Sequence, residues 1–347
     1  MSINFSSDNE TPIAPAMLEA IIEANQGTAT AYAEDQWSGQ LDQAFSELFR
    51  TEAIVLPVTT GTVANAIALA VVTPSWGSVY CHESAHIQCD ESGAPEFFGN
   101  GLRLVPVVGE AGKLNPDTFE QSIRATEGHG VHSYLPSALS LTQSTESGTV
   151  YTADEIHKLC DMAHDLDMKT HMDGARFANA VAGLGCHPAE ITCEAGIDML
   201  CFGASKNGCM AAEALVIFNQ PQWRDTAERL RKRSGHLLSK MRYVSAQLLA
   251  YLENDRWLKM ATHANTQAAK FASAVEAHSQ ATLEYPVQAN EVFLNWTTQG
   301  FAHLESQDIL FQPWPGRNDL ARFVFSHSTT DEDVQVLVSA LKAADHV

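Results

Sequence analysis

From Ala53 onward, short apolar runs alternate with segments of helical periodicity, and nothing else in the chain constrains its fold as strongly. The runs cover 53–58, 78–81, 102–107, 133–141, 168–172, 198–204 and 213–218. Helical spacing fills 63–72 and follows Thr152, where Thr152-Ala153-Asp154-Glu155 is a capping box and Ile156, Leu159, Cys160, Ala163 and Leu166 return to one face. Strands separated by helices pair in parallel, because a parallel connection needs a long crossover. The pattern therefore predicts an α/β domain on a mainly parallel sheet.

The spacing predicts helix again over 222–252. A Pro/Gly-rich stretch, Gln312-Pro313-Trp314-Pro315-Gly316, then precedes a final amphipathic helix capped by Thr330-Asp331-Glu332-Asp333, with Val334, Leu337, Val338 and Leu341 inward. We expect a large domain over 1–245 and a small C-terminal α/β domain over 246–347.

A chain of 347 residues with 45% apolar side chains can bury a substantial core. Its formal charge of -21 argues against a grip on nucleic acid or anionic lipid. No apolar run reaches the roughly 20 residues a membrane helix needs, and the N-terminal segment does not read as a secretory signal. Seven cysteines without a Cys-x-x-Cys pair read as reduced thiols of a cytoplasmic protein.

Open parallel sheets bind ligands at the carboxyl ends of their strands, so polar residues just past the strands are the candidates for function. Thr59-Thr60-Gly61-Thr62 lies between a strand and a helix, where free N–H groups suit a phosphate, although an ordinary capped turn has the same residues. Asp173, after Met168 to Met172, can hold a proton on a ring nitrogen, with Arg176 available for an anion; a capping aspartate with an arginine partner is the plainer reading. Lys206, in Ser205-Lys206-Asn207-Gly208, can form a Schiff base with a carbonyl cofactor, whereas a lone lysine is usually a surface residue. Phosphate seat, ring-nitrogen partner and Schiff-base lysine together describe a pyridoxal 5'-phosphate site. His86 adds a candidate for stacking on the ring, and Arg322, on a C-terminal strand, one for clamping a carboxylate.

Other motifs compete. His82-Glu83-Ser84-Ala85-His86 matches the H-E-x-x-H of zinc peptidases, but it follows a strand instead of lying within an amphipathic helix, and no third histidine extends it. No metal is called for. Gly109-Glu110-Ala111-Gly112-Lys113-Leu114 is too short for a P-loop and reads as a hairpin turn. The basic stretch from Arg229 to Arg242 faces either an anion, an acidic partner or only solvent.

Taken together these motifs resemble the L-threonine aldolase family, within the fold type I pyridoxal phosphate enzymes. The likeness is carried by Phe5-Ser6-Ser7-Asp8-Asn9, Thr60-Gly61-Thr62-Val63-Ala64-Asn65, Ala85-His86 with Glu91 and Gly93, His171-Met172-Asp173-Gly174-Ala175-Arg176, Ser205-Lys206-Asn207-Gly208 and Ala321-Arg322. The resemblance implies an aspartate aminotransferase-like large domain with a seven-stranded sheet, and a homodimer or homotetramer with active sites at the subunit interface. It implies Lys206 as the Schiff-base lysine, Asp173 as the ring-nitrogen partner, Gly61, Thr62 and Ser205 as phosphate contacts and His86 as the stacking residue. Ser7, Arg176 and Arg322 would bind the substrate carboxylate, and His132 would be a second substrate-side histidine.

Two segments depart from the family pattern. Ser234-Gly235-His236-Leu237-Leu238-Ser239-Lys240 replaces a glycine-rich turn and arginine, with Lys240 as the substitute phosphate ligand from a neighbouring subunit. Ser144-Thr145-Glu146 stands where Asn-Thr-His is common. The expected activity is cleavage of L-threonine, L-allo-threonine or L-phenylserine to glycine and an aldehyde. The rivals are an aminotransferase or β-eliminating lyase using the same cofactor, a zinc peptidase, and a non-catalytic binding protein.

Overall fold

In a computed structural model that describes residues 3–125, 129–278 and 280–344, all seven predicted runs form one sheet. The strands are β1 (Ala53–Val58), β2 (Gly77–His82), β3 (Arg103–Val107), β4 (Leu135–Thr142), β5 (Lys169–Gly174), β6 (Met199–Gly203) and β7 (Glu213–Phe218). They lie in the order β1-β7-β6-β5-β4-β2-β3. All pairings are parallel except those of β7, which runs antiparallel to both β6 and β1. No crossover helix separates β6 from β7, so β7 turns straight back, and its first residue meets the carboxyl end of β6.

Fully buried strands read as continuous apolar runs, and β1, β6 and β7 are buried at every position. On one face, the helix Gly61–Val72 packs Val63, Ala64, Ile67 and Ala68 against Ile54, Leu56, Met199 and Leu215. On the other, Phe202 meets Phe45, Phe49, Phe177, Tyr251 and Trp257 at ring distances of 5.1–6.4 Å. The capping box at Thr152 forms, and the helix it starts, Ala153–His164, buries Ile156, Leu159, Cys160 and Ala163. The helix expected over 222–252 is instead two, Arg224–Arg233 and Arg242–Leu252. Gly235, at φ 83°, lies in the break between them.

A second sheet of four strands, Thr282–Leu283, Glu291–Asn295, Leu320–Val324 and Gln312–Pro313, packs with the helices Arg256–His278 and Asp331–Ala344. The N-terminal segment joins this core. Phe5 is buried among Phe271, Phe323 and Phe325, its N–H donates to Leu310 O and its carbonyl accepts from Val324 N–H. Further along, Ala14 N–H donates to Gly208 O at 2.8 Å, tying the same segment to the loop after β6. No helix among the described residues is long and apolar enough to cross a membrane.

Candidate active site

The parallel strands and the reversed β7 bring their polar ends to one edge of the sheet, around a cavity of about 330 Å3. Seven residues expected at the site line it: Gly61, Thr62, His86, Asp173, Arg176, Ser205 and Lys206.

After β1, Thr60 caps the helix Gly61–Val72, its hydroxyl accepting from Val63 N–H at 3.3 Å. The N–H groups of the first turn point out of the helix end, where its dipole favours an anion. Thr59 Oγ1 pairs with His236 Nδ1 at 2.9 Å, which brings the break between the helices Arg224–Arg233 and Arg242–Leu252 against this seat.

Asp173, next to last in β5, is buried, with Oδ1 accepting from Ala175 N–H at 3.0 Å and Oδ2 from Asn65 Nδ2 at 2.8 Å. Asn65 also donates to Glu91 Oε1 at 2.9 Å, and His86 Nδ1 lies 2.9 Å from the same oxygen. The hydrogen bond to Glu91 raises the pKa of His86 against the opposing effect of burial. Two residues before Asp173, His171 is enclosed between Ser140 and Cys201, and burial lowers its pKa to about 4, so it stays neutral.

Lys206 sits in the short helical turn Ser205–Asn207 after β6. Asn207 anchors this turn by donating to Tyr251 Oη at 2.6 Å and Trp257 O at 2.8 Å. Gly208 closes it at φ 105°, where a Cβ would also crowd Ala14 and Met260. Glu213, first in β7, accepts the N–H groups of Ala204 and Ser205, and burial raises its pKa to about 7.

Behind the cavity, Arg176 makes a bidentate pair with buried Asp8, Nε to Oδ2 at 2.7 Å and Nη2 to Oδ1 at 2.9 Å. Glu291 Oε1 lies 3.4 Å from Arg176 and 3.3 Å from Arg322. Burial works against charge on Arg176, but Asp8 and Glu291 outweigh it and raise its pKa. Arg322 thus stands beside Arg176, and its Nε is buried without a partner among the described residues.

Three expected site residues lie elsewhere within this chain. His132 is exposed in the turn Gly130–His132, which leads into the amino end of β4, while the cavity is at the carboxyl end, eight residues and roughly 25 Å away. Lys240 is exposed, and His236 is the residue of its segment that reaches the phosphate seat. Ser7 is spent as a cap, accepting from Asn9 N–H at 3.2 Å; Asn9 lines the cavity instead.

The H-E-x-x-H residues do not share a helix face: His82 ends β2 and pairs with Ser84, while His86 begins the next helix and pairs with Glu91. The basic stretch is largely spent locally, with Arg231 buried against Pro57 O, Arg229 on Asp225 and Lys232 over the Tyr32 ring. Glu213 is the site group that motif reading did not reach, its only signal being polarity at the start of a buried strand. Asp8, Asn65 and Glu146 stood within quoted motifs, but nothing in the sequence showed what each of them meets.

The donor set fits pyridoxal phosphate. One cavity holds an amine for the aldehyde, a carboxylate, a helix amino end with hydroxyls for the phosphate, and an arginine for a carboxylate. At Gly61 no atom lies within 4 Å of where a Cβ would stand, so the seat is open.

Residues 4–298 match the family model described as beta-eliminating lyase. The chain is 40% identical to a low specificity L-threonine aldolase of Pseudomonas aeruginosa, over 97% of this chain and 96% of that one. It is 28% identical to the Escherichia coli protein of the same name, over 73% and 75% of the two chains. Among solved structures, a Leishmania major threonine aldolase superimposes with a TM-score of 0.91 at 25% identity, covering 98% of both chains. A kynurenine aminotransferase-like protein of Saccharomyces cerevisiae, Bna3p, shares the fold with a TM-score of 0.77 at 13% identity, over 99% and 91% of the chains.

Proposed function

The chain belongs to the beta-eliminating lyase family, and from that premise we propose that it is a pyridoxal-phosphate-dependent aldolase cleaving L-β-hydroxy-α-amino acids to glycine and an aldehyde. The observation that carries this reading is the convergence of Lys206, Asp173, Arg176 and the Gly61–Thr62 helix end on one cavity, in a chain 40% identical to a low specificity L-threonine aldolase.

Bound through Lys206, the cofactor supplies a sink for the electron pair of the Cα–Cβ bond. The remaining work belongs to the protein. Asp173, fixed by Asn65 and Ala175 N–H, would hold a proton on the ring nitrogen. Gly61 and Thr62 N–H groups and the Ser205 hydroxyl would bind the phosphate. His86, held in place by Glu91, would be the residue that holds the ring. Arg176 and Arg322 take the substrate carboxylate; the unpartnered Nε of Arg322 supports this assignment. Holding the carboxylate and the amino nitrogen fixes which bond at Cα can break.

L-Threonine, L-allo-threonine and L-phenylserine are the substrates in this reading. The same proposal includes domains over 1–245 and 246–347, and self-association as a homodimer or homotetramer. In such an assembly Lys240 and His132 would act from a neighbouring subunit, which their exposure permits. It also includes a cytoplasmic setting, in keeping with seven free cysteines. The test is product analysis of the holoenzyme. Threonine should yield glycine and acetaldehyde in equal amounts, whereas a keto acid would make the enzyme an aminotransferase or eliminating lyase.

A further inference from the structure

Aldol cleavage requires a group that accepts the β-hydroxyl proton as the Cα–Cβ bond breaks. Among the cavity-lining residues, His86 has Nδ1 committed to Glu91, and that bond favours its protonated form, which has no lone pair to accept a proton. Asp173 is held by Asn65 and Ala175. Glu213 is turned to the backbone of Ala204 and Ser205.

Glu146 is different. It lines the cavity from the segment after β4, together with Lys206 and Arg176. Its Oε1 accepts the His86 N–H at 2.7 Å, which fixes the carboxyl. Its Oε2 is sealed from solvent with no hydrogen-bond partner among the described residues. A buried acid oxygen without a partner is costly unless it has a use.

Building on the aldolase reading above, we propose that Glu146 is the proton-transfer residue of the cleavage, its cavity-lining carboxyl taking the β-hydroxyl proton. The O–H electron pair becomes the second C–O bond of the aldehyde, and the Cα–Cβ pair stays with the glycine fragment. One proton leaves the hydroxyl and one is delivered to Cα, so the balance closes. In the reverse direction the Glu146 acid protonates the new alkoxide.

The state of the group suits that role. Burial, and after it the Asp173 charge, raises its pKa to about 7, where a carboxyl can both accept and return a proton at neutral pH. The groups that interact with it electrostatically are Asp173, the His86 N–H, its own N–H, the Thr142 hydroxyl and Arg176, with Cys81, Cys89 and Tyr151 behind. Among them Asp173 pushes its pKa up, and the His86 N–H, its own N–H and the Thr142 hydroxyl pull it down.

The experiment compares the wild-type holoenzyme with Glu146→Gln, which keeps an oxygen for the His86 N–H but cannot accept the proton. Two reactions are followed: cleavage of threonine and phenylserine, and exchange of the glycine Cα hydrogen for deuterium, which needs no β-hydroxyl. We expect cleavage to fall by about 100-fold or more and to lose the rise in kcat/KM near pH 7, while glycine exchange and the cofactor spectrum stay within about threefold of wild type. Wild-type-like cleavage, or equal loss of both reactions, overturns the proposal, the second result meaning that Glu146 only positions His86. If Glu146→Gln does not fold, Glu146→Asp must keep the pH-dependent rise.

Infrared difference spectra of wild type against the variant should show one protonated carboxyl that titrates near pH 7. Its absence counts against the assignment. Failure of the wild type itself to release glycine from threonine or phenylserine would instead sink the aldolase reading.

Discussion

Asn65 Nδ2 donates to Asp173 Oδ2 at 2.8 Å and to Glu91 Oε1 at 2.9 Å, so one buried amide holds together two carboxylates that would otherwise repel. Asp173 answers to the ring nitrogen and Glu91 to His86, which makes Asn65 the common support of both. Asn65→Ala removes a hydrogen bond to a charged group, worth about 1.5–3 kcal/mol. We expect pyridoxal phosphate to bind the stripped protein about 10- to 100-fold more weakly, measured by absorbance titration. Affinity within about twofold of wild type would show that Asp173 needs no such support.

That support was invisible in the sequence, and the reason is physical. Lys206 and Asp173 could be found because strand ends in a parallel sheet are where ligands bind, and apolar runs mark strand ends well. All seven strands followed from the same signal. Asn65, by contrast, lies inside a helix, and Glu213 opens a strand. Periodicity shows that such residues face inward but not what they meet. The antiparallel course of β7 was equally hidden, because a strand's direction is set by its connection and the link after Lys206 carries no helix. His132 and Lys240 came only from resemblance, which transfers a residue's place in an assembly and not its place within one chain.

Asp8 and Arg176 form a deeply buried ion pair near the site, with side chains 1% and 11% exposed. Removing one charge leaves the other uncompensated, which typically costs 3–5 kcal/mol. Asp8→Asn should therefore lower stability by about 3 kcal/mol, read as a shifted urea midpoint with unchanged slope. A shift under about 1 kcal/mol would mean that Glu291 alone compensates Arg176.

Glu213 gives stability a pH dependence of defined sign. Burial raises its pKa from the ordinary 4.5 to about 7, so the folded state holds its proton more tightly than the unfolded state does. Stability then falls as pH rises from about 4.5 to 7 and is level above that. Glu213→Gln should remove this slope, narrowing the difference between pH 5 and pH 7.5 by on the order of 3 kcal/mol. Thermal unfolding at both pH values checks it, and an unchanged pH dependence would show that Glu213 is ionised in the fold.

Lys206, held in its turn by Asn207 and Gly208, lines the same cavity as Asp173 and is the residue on which the chemistry depends most. The direct measurement is borohydride reduction of the purified holoenzyme followed by peptide mass analysis. The account predicts a single stable phosphopyridoxyl adduct on the peptide containing Lys206, with its visible absorbance band abolished in Lys206→Ala. An adduct on another lysine, or none in a protein that still cleaves threonine to glycine and acetaldehyde, would contradict it.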